Sequence, residues 1–501
     1  IDPDQCIAYD KFYTIRKAEV VKFNIWWECN AGITTEGCDE ITAPTNDELN
    51  RIYGWPAHGD VSRGQDYFLA PFYDRDQDGN YNPDNGDHPW YDDILGRDDI
   101  ECGIDRRISL YGDETHWWVF NDKGNIHTET NGDPIGMEIR AQAFSFATND
   151  EVNRMTFYNY ELINRGTQTL YNTYFGFFTD GALGDPYDDY VGCDVNRGLG
   201  YYYNGDNYDG DNSGFKGYGY SPPAIGVDFF EGPYQDNDGI DNAFGIWDNE
   251  ALNGIGYGDG VIDNERFGMR RFLYYSNTTN GANPNQTDPV YSGDYYNYLR
   301  GFWKDGTKFV YGGSGHISDP EADPNTPCDF MFPGNTDPLG WGTGGNPQAN
   351  WTEQTANNTP NDRRFVQSAG PFILKPGAVN NITVGVVWAR SSNGDPFASV
   401  ETLRRADDKA QALFENCFKV LDGPHAPDVQ TQELANEVII MLSNPVNSNN
   451  YKEEYEEFDP FIVASDPNAD KTYNFQGYQI YQLANSKVSS SELQDPDQAR
   501  L

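Results

Sequence analysis

NITVGVVWAR, residues 381–390, puts Ile382, Val384, Val386 and Trp388 on one face of an extended chain. A period of two matches the pleat of a β-strand, where alternate side chains point to opposite faces. GMEIRAQAFSFA, residues 136–147, repeats the pattern with Met137, Ile139, Ala141 and Ala143. RMTFYNYELIN (154–164) and LYNTYFGFFTD (170–180) carry aromatics on both faces, which suits strands packed on both sides. NRGTQT between them reads as a hairpin turn. These segments predict a mostly β fold, built as a large antiparallel β-sandwich over residues 1–423.

Helix signals are few. In DPFASVETLRRADDKAQALFENCFKV, Asp395 is placed to cap a helix with Pro396 in its first turn. Leu403, Ala406, Ala410, Leu413, Phe414 and Cys417 then share one face, and Asp422-Gly423 should stop it. TNDELNRIYG, residues 45–54, predicts a second, shorter helix.

The net charge of −45 speaks against binding nucleic acid or an anionic leaflet, since both need Lys and Arg. With aromatics at 15% of residues, this is not the composition of a disordered acidic chain. No apolar run is long enough to span a bilayer, so membrane insertion is not expected. The N-terminal IDPDQCIAYD has neither the basic start nor the apolar stretch of a signal peptide. Two readings of the acidity stay open: a solvated surface, or carboxylates neutralised by bound cations.

The loops favour cations. YDRDQDGNYNPDNGD, residues 73–87, opens with Asp74, Asp76 and Asp78 at alternate positions, followed by Gly79. That is the start of an EF-hand-like or dockerin-like calcium loop. Asn80 would offer its backbone carbonyl and Asn82 the ninth position. Position twelve holds Asn85 where a bidentate carboxylate is usual, so Asp84 or Asp87 would have to substitute. Three looser clusters follow. FFTDGALGDPYDDYVGCD presents Asp180, Asp185, Asp188, Asp189 and Asp194. QDNDGIDN presents Asp236, Asp238 and Asp241, and YGDGVIDNER presents Asp259, Asp263 and Glu265. One ion could draw on two clusters, and calcium suits them better than magnesium, which demands stricter geometry.

Catalytic motifs are lacking. His58, His88, His116, His127, His316 and His425 form no HExxH, and no GxSxG elbow occurs. His116 beside Trp117 and Trp118 reads as a packed histidine, and Gly342–Asn346 as a turn without the lysine of a phosphate loop. Paired carboxylates could hydrolyse glycosides, but among 79 acidic residues a pair carries no weight. Seven cysteines show no zinc spacing, and Cys29 and Cys38 are spaced to close a short disulfide loop.

LAPFYDRDQDGNYNP, HWWVFNDKGNIHTET, DDYVGCDVNRGLGYYYNG, DGVIDNERFGMRRF and ITVGVVWAR with the helix after it resemble large extracellular proteins of Bacteroidota exported by the type IX secretion system. The resemblance touches most of residues 50–420 and implies a secreted or cell-surface location, without a catalytic residue. After the linker DGPHAPDV, the segments PDVQTQEL, NEVIIMLSNP and FQGYQIYQLAN resemble the first strands of a fibronectin type III domain, departing from it in having Leu442 near the position where that family usually has a buried tryptophan. Residues 424–501 are therefore expected to form an incomplete module of that kind. Together these readings predict a calcium-stabilised structural or adhesion protein, in a surface layer, appendage or other homo-oligomer. The alternative is a polysaccharide-binding surface protein or a glycoside hydrolase.

Overall fold

The period-two segments fold into an eight-stranded antiparallel sheet and a three-stranded one. The strands are β1 (Tyr13–Arg16), β2 (Glu114–Asn121), β3 (Met137–Ser145), β4 (Thr156–Asn164), β5 (Leu170–Thr179), β6 (Asp189–Asp194), β7 (Leu199–Asn204), β8 (Ala224–Glu231), β9 (Arg271–Ser276), β10 (Arg363–Leu374) and β11 (Val379–Ala389). The large sheet runs β1-β2-β3-β4-β11-β8-β7-β6 and the small one β9-β10-β5. The computed structural model describes residues 3–35, 38, 41–91, 109–148, 150–235, 237–243, 252–277, 283–392, 394–420, 423–435, 437–445, 448–458, 472–485 and 499–500. Helix makes up 18% of the structure, well under the one third of an average globular domain.

The small sheet covers one face of the large one, as a sandwich requires. Phe365 of β10 packs its ring 5.0 Å from Tyr202 of β7, and Phe175 of β5 lies 5.7 Å from Phe229 of β8. Gly200 permits the approach: a Cβ there would sit 2.8 Å from Phe272 and 3.0 Å from Phe365. Ile382 and Val384 of β11 point into this core and are fully buried.

The opposite face of the large sheet takes the helix Pro396–Glu415. Asp395 caps it, its carboxylate accepting the Ala398 N–H at 3.1 Å. Leu403, Ala406, Ala410, Leu413 and Phe414 are buried, and the Phe414 ring stacks 5.3 Å from Phe230 of β8. Each large apolar side chain so buried contributes about 1.5–3 kcal/mol. The helix stops before the expected Asp422-Gly423. Cys417 and Phe418 adopt left-handed backbone at φ 53° and 57°, so Cys417 lies past the helix rather than on its buried face.

NRGTQT is not a hairpin turn. β4 pairs with β3 and β11, whereas β5 pairs with β10 in the other sheet. Asn164 directs the crossing: its amide donates to the Gln168 and Leu374 carbonyls at 2.9 Å, while its side-chain oxygen accepts Gly166 N–H. The helix at Asn46–Tyr53 forms as expected, and Thr45 and Glu48 close a capping box.

The chain divides into two compact units: Ile1–Asn24 with Pro44–Phe418, and Ile25–Ala43 with Lys419–Leu501. The second unit holds the Cys29–Cys38 disulfide, with Cα atoms 5.6 Å apart. It also holds an antiparallel hairpin of β12 (Asp428–Glu433) and β13 (Val438–Ser443). Short pairings of Glu456–Phe458 with Thr472–Asn474 and of Gln482–Leu483 with Ala499–Arg500 complete its described strands.

Candidate metal centres

In the 73–87 loop, Asp74, Asp76 and Asp78 each place a carboxylate oxygen within 4.8 Å of the others. No other group of three acidic, histidine or cysteine side chains converges so closely among the described residues. The turn that gathers them needs left-handed backbone at Gln77 and Gly79. Backbone N–H groups of the same turn point at the carboxylates. Asp78 N–H reaches Asp74 Oδ1 at 3.2 Å and Asp76 Oδ1 at 3.3 Å, and Gly79 N–H reaches Asp74 Oδ2 at 2.7 Å. These three side chains form no ion pair with Lys or Arg among the described residues.

The other residues expected of this loop are placed differently. Asn82 caps the turn Pro83–Asn85, accepting Asp84 N–H at 3.1 Å. Asp84 accepts the Tyr53 hydroxyl at 2.6 Å. Asn80 accepts the Tyr67 hydroxyl and donates its amide to the Asp78 carbonyl. Asn85 at position twelve donates to Asp76 Oδ2 at 2.8 Å. Asp87 is fully buried and accepts the Arg75 and Asn82 N–H groups at 2.9 and 2.8 Å. Burial raises its pKa, and the charges of Asp74 and Asp76 add to the shift.

Two clusters that lie apart in sequence interlock. Asp241 accepts Gly258 and Gly260 N–H at 2.8 Å, Asp263 accepts Gly239 N–H at 2.7 Å, and Glu265 accepts Asn242 N–H. Asp238 and Asp259 cap their own turns through Ile240 and Val261 N–H. Asp236 lies outside the described residues.

The cluster spread over residues 180–194 separates into three. Asp180 pairs with Arg364 at 3.0 Å. Asp194 is buried with Arg197 and Arg404, at 3.1 and 2.9 Å. Asp185, Asp188 and Asp189 instead meet the end of β7 and the segment after it, which bring Asn204 and Asp209. Asp185 N–H donates to Asp209 Oδ1 at 3.0 Å, and Asn212 donates to Asp185 Oδ2 at 2.9 Å. Asp188 is pushed up to about 7 by burial and by the charges of Asp209, Asp185 and Asp206. Asp189 is raised as well, chiefly by burial.

A second buried carboxylate pair had no local sequence signal. Asp228 of β8 and Asp407 of the Pro396–Glu415 helix are both buried, and neither Asp228 oxygen accepts a hydrogen bond by distance and angle. Desolvation raises both carboxyls. His116 is half-buried, its ring packed edge-on 6.5 Å from Phe12, with Thr14 Oγ1 at 2.8 Å and Glu114 at 3.2 Å.

Oxygen donors dominate all these places. Such sets suit hard divalent cations, calcium above all, and offer no thiolate or imidazole group for zinc. No protein-family model matches the chain, and no curated protein matches it.

Proposed function

We propose that this protein is a calcium-stabilised structural or adhesion protein of the cell surface or extracellular space, acting as a subunit of a surface assembly. The observation that carries the reading is the convergence of Asp74, Asp76 and Asp78 within 4.8 Å without a basic partner. Like charges that close repel, and a divalent cation reverses the sign of the interaction. The Cys29–Cys38 disulfide and a disulfide-bonded Cys417 support an oxidising location. The acidic surface supports solubility outside the cell. Calcium titration of the chelated protein by calorimetry tests the reading. Asp76→Ala with Asp78→Ala should remove a binding event that the parent shows, and equal binding by both proteins would refute it.

A polysaccharide-binding role is favoured by one feature. Tyr67 stacks 4.1 Å from His58 and continues into Phe68 and Phe72, with Tyr67 and Phe68 exposed beside the acidic loop. Exposed rings of this kind can stack on sugars. Calcium-dependent glycan binding lost in Tyr67→Ala would support this role.

A further inference from the structure

The β6–β7 ladder ends on a set of oxygens that the protein does not satisfy. Asp189 and Asn204 are register partners there, and both are fully buried. Asp189 Oδ2 accepts Leu183 N–H at 3.1 Å, while its Oδ1 accepts no hydrogen bond from the protein. The Asn204 amide nitrogen donates to the Asp206 carbonyl at 3.0 Å, which orients the side chain and leaves its oxygen without a donor. Asp188, the residue before β6, buries Oδ1 in the same state and lies against the Asn204 amide.

The surroundings hold this arrangement in place. Asp209 folds back over it, accepting Asp185 and Tyr218 N–H at 3.0 and 2.8 Å. Gly184, at φ 74°, passes so close that a Cβ would collide with the Asp209 carboxylate. No Lys, Arg or His among the described residues pairs with Asp185, Asp188, Asp189 or Asp209.

Buried polar atoms are normally satisfied, and an unpaired buried charge costs more than an unpaired dipole. A proton could neutralise one carboxyl, but one O–H donates to one acceptor and three oxygens need partners. Water could satisfy the acceptors, but it would leave the charge uncompensated. A divalent cation does both. No three carboxylates converge here as they do at Asp74, Asp76 and Asp78. The set is instead two carboxylates and one amide oxygen, which suits calcium's irregular coordination better than magnesium's strict octahedron.

We propose that Asp188, Asp189 and Asn204 bind a calcium-class divalent cation at the end of the β6–β7 ladder, with Asp185 and Asp209 ordering the loops around it. This rests on the reading that the protein meets calcium, but it concerns a site separate from the 73–87 loop. The amide ligand makes the site distinguishable from a pair of protonated acids.

The test uses the full chain, stripped with chelator and titrated with calcium chloride, with bound metal counted by elemental analysis. Asp188→Asn should lose one bound ion per chain, in the parent background and equally with Asp76→Ala and Asp78→Ala present. Asn204→Asp adds a ligand charge and should bind calcium about tenfold more tightly, as charge count tunes such sites. In chelator the same variant should melt below the parent, because it buries one more uncompensated carboxylate. Unchanged calcium stoichiometry in Asp188→Asn would overturn the site. So would an Asn204→Asp protein that melts lower whether calcium is present or not, and this second variant decides the matter if the first fails to fold. Loss of binding only in the loop variant would leave the loop reading standing and remove this one.

Discussion

Asp189 and Asn204 stand opposite each other in the β6–β7 ladder, and each buries a side-chain oxygen that accepts no hydrogen bond from the protein. The ladder therefore ends in oxygen donors rather than in an apolar contact. The 73–87 loop differs, since Asp74 and Asp76 there accept backbone N–H groups of their own turn.

Calcium should accordingly set the thermal stability. Binding to the folded state alone adds about 2.7 kcal/mol at a hundredfold excess over the dissociation constant. Chelation should lower the melting temperature of the parent more than that of Asp76→Ala with Asp78→Ala. Scanning calorimetry with and without calcium checks this, and equal shifts in both proteins would count against the loop as a site.

The Asp228–Asp407 pair should make stability fall as pH rises. Desolvation raises both carboxyls, and for Asp407 the facing Asp228 charge raises it further. Asp194 and Asp408 act in the same direction, against Arg197, with Arg404 paired to Asp194 nearby. An acid raised in the folded state contributes its stability below the ordinary carboxylate pKa of about 4 and loses it as pH climbs through the raised value. Asp407→Asn removes that titration. Denaturant midpoints from about pH 5 to about pH 9 should decline less steeply in the variant than in the parent. Parallel slopes would show that the pair does not titrate in this window.

Glu353 joins the small sheet to the large one. It is fully buried, pairs with Arg363 of β10 at 2.9 Å and accepts Val191 N–H of β6 at 3.0 Å. Arg363 also reaches Ser276 of β9 at 2.9 Å. Glu353→Ala leaves a buried guanidinium without its partner, and breaking such a pair costs about 3–5 kcal/mol. Urea unfolding should show that loss, and a change under about 1 kcal/mol, the scale of an exposed pair, would contradict it.

Thiol labelling should separate the cysteines. Cys193 and Cys328 are buried, and burial pushes both thiols up, which keeps the reactive thiolate scarce. Cys6 is partly exposed, and Cys29 and Cys38 are bonded to each other. Iodoacetamide should modify Cys6 in the native protein, and Cys193 and Cys328 only after unfolding. Seven free thiols in freshly isolated, denatured protein would overturn the disulfide assignment and the oxidising location with it.

The features legible in the sequence are those set by near neighbours. Asp395-Pro396 starts its helix and Thr45 with Glu48 closes a capping box, because both ends of each interaction lie within one turn. Asp74, Asp76, Asp78 and Gly79 gather for the same reason. What escaped depends on partner choice across the chain. NRGTQT looks like a hairpin turn locally, yet Asn164 is bonded to Leu374 and sends β5 into the other sheet. Asp180 resembles its acidic neighbours until Arg364 takes it away. Asn204 ends β7 and Asp209 lies in the Asx-rich stretch after it, and only the β6–β7 register brings them to Asp188 and Asp189. Asp228 and Asp407 meet only when the helix docks on β8.

If the proposed function holds, calcium keeps the carboxylates of the 73–87 loop together. A crystal structure of the protein grown with calcium, with anomalous scattering to identify the ion, tests it most directly. One ion should lie within about 2.6 Å of oxygens from Asp74, Asp76 and Asp78, the outer range for calcium ligation. A well-ordered loop without such an ion would show that the Asp78 and Gly79 N–H bonds alone hold it, and calcium would have no part in it.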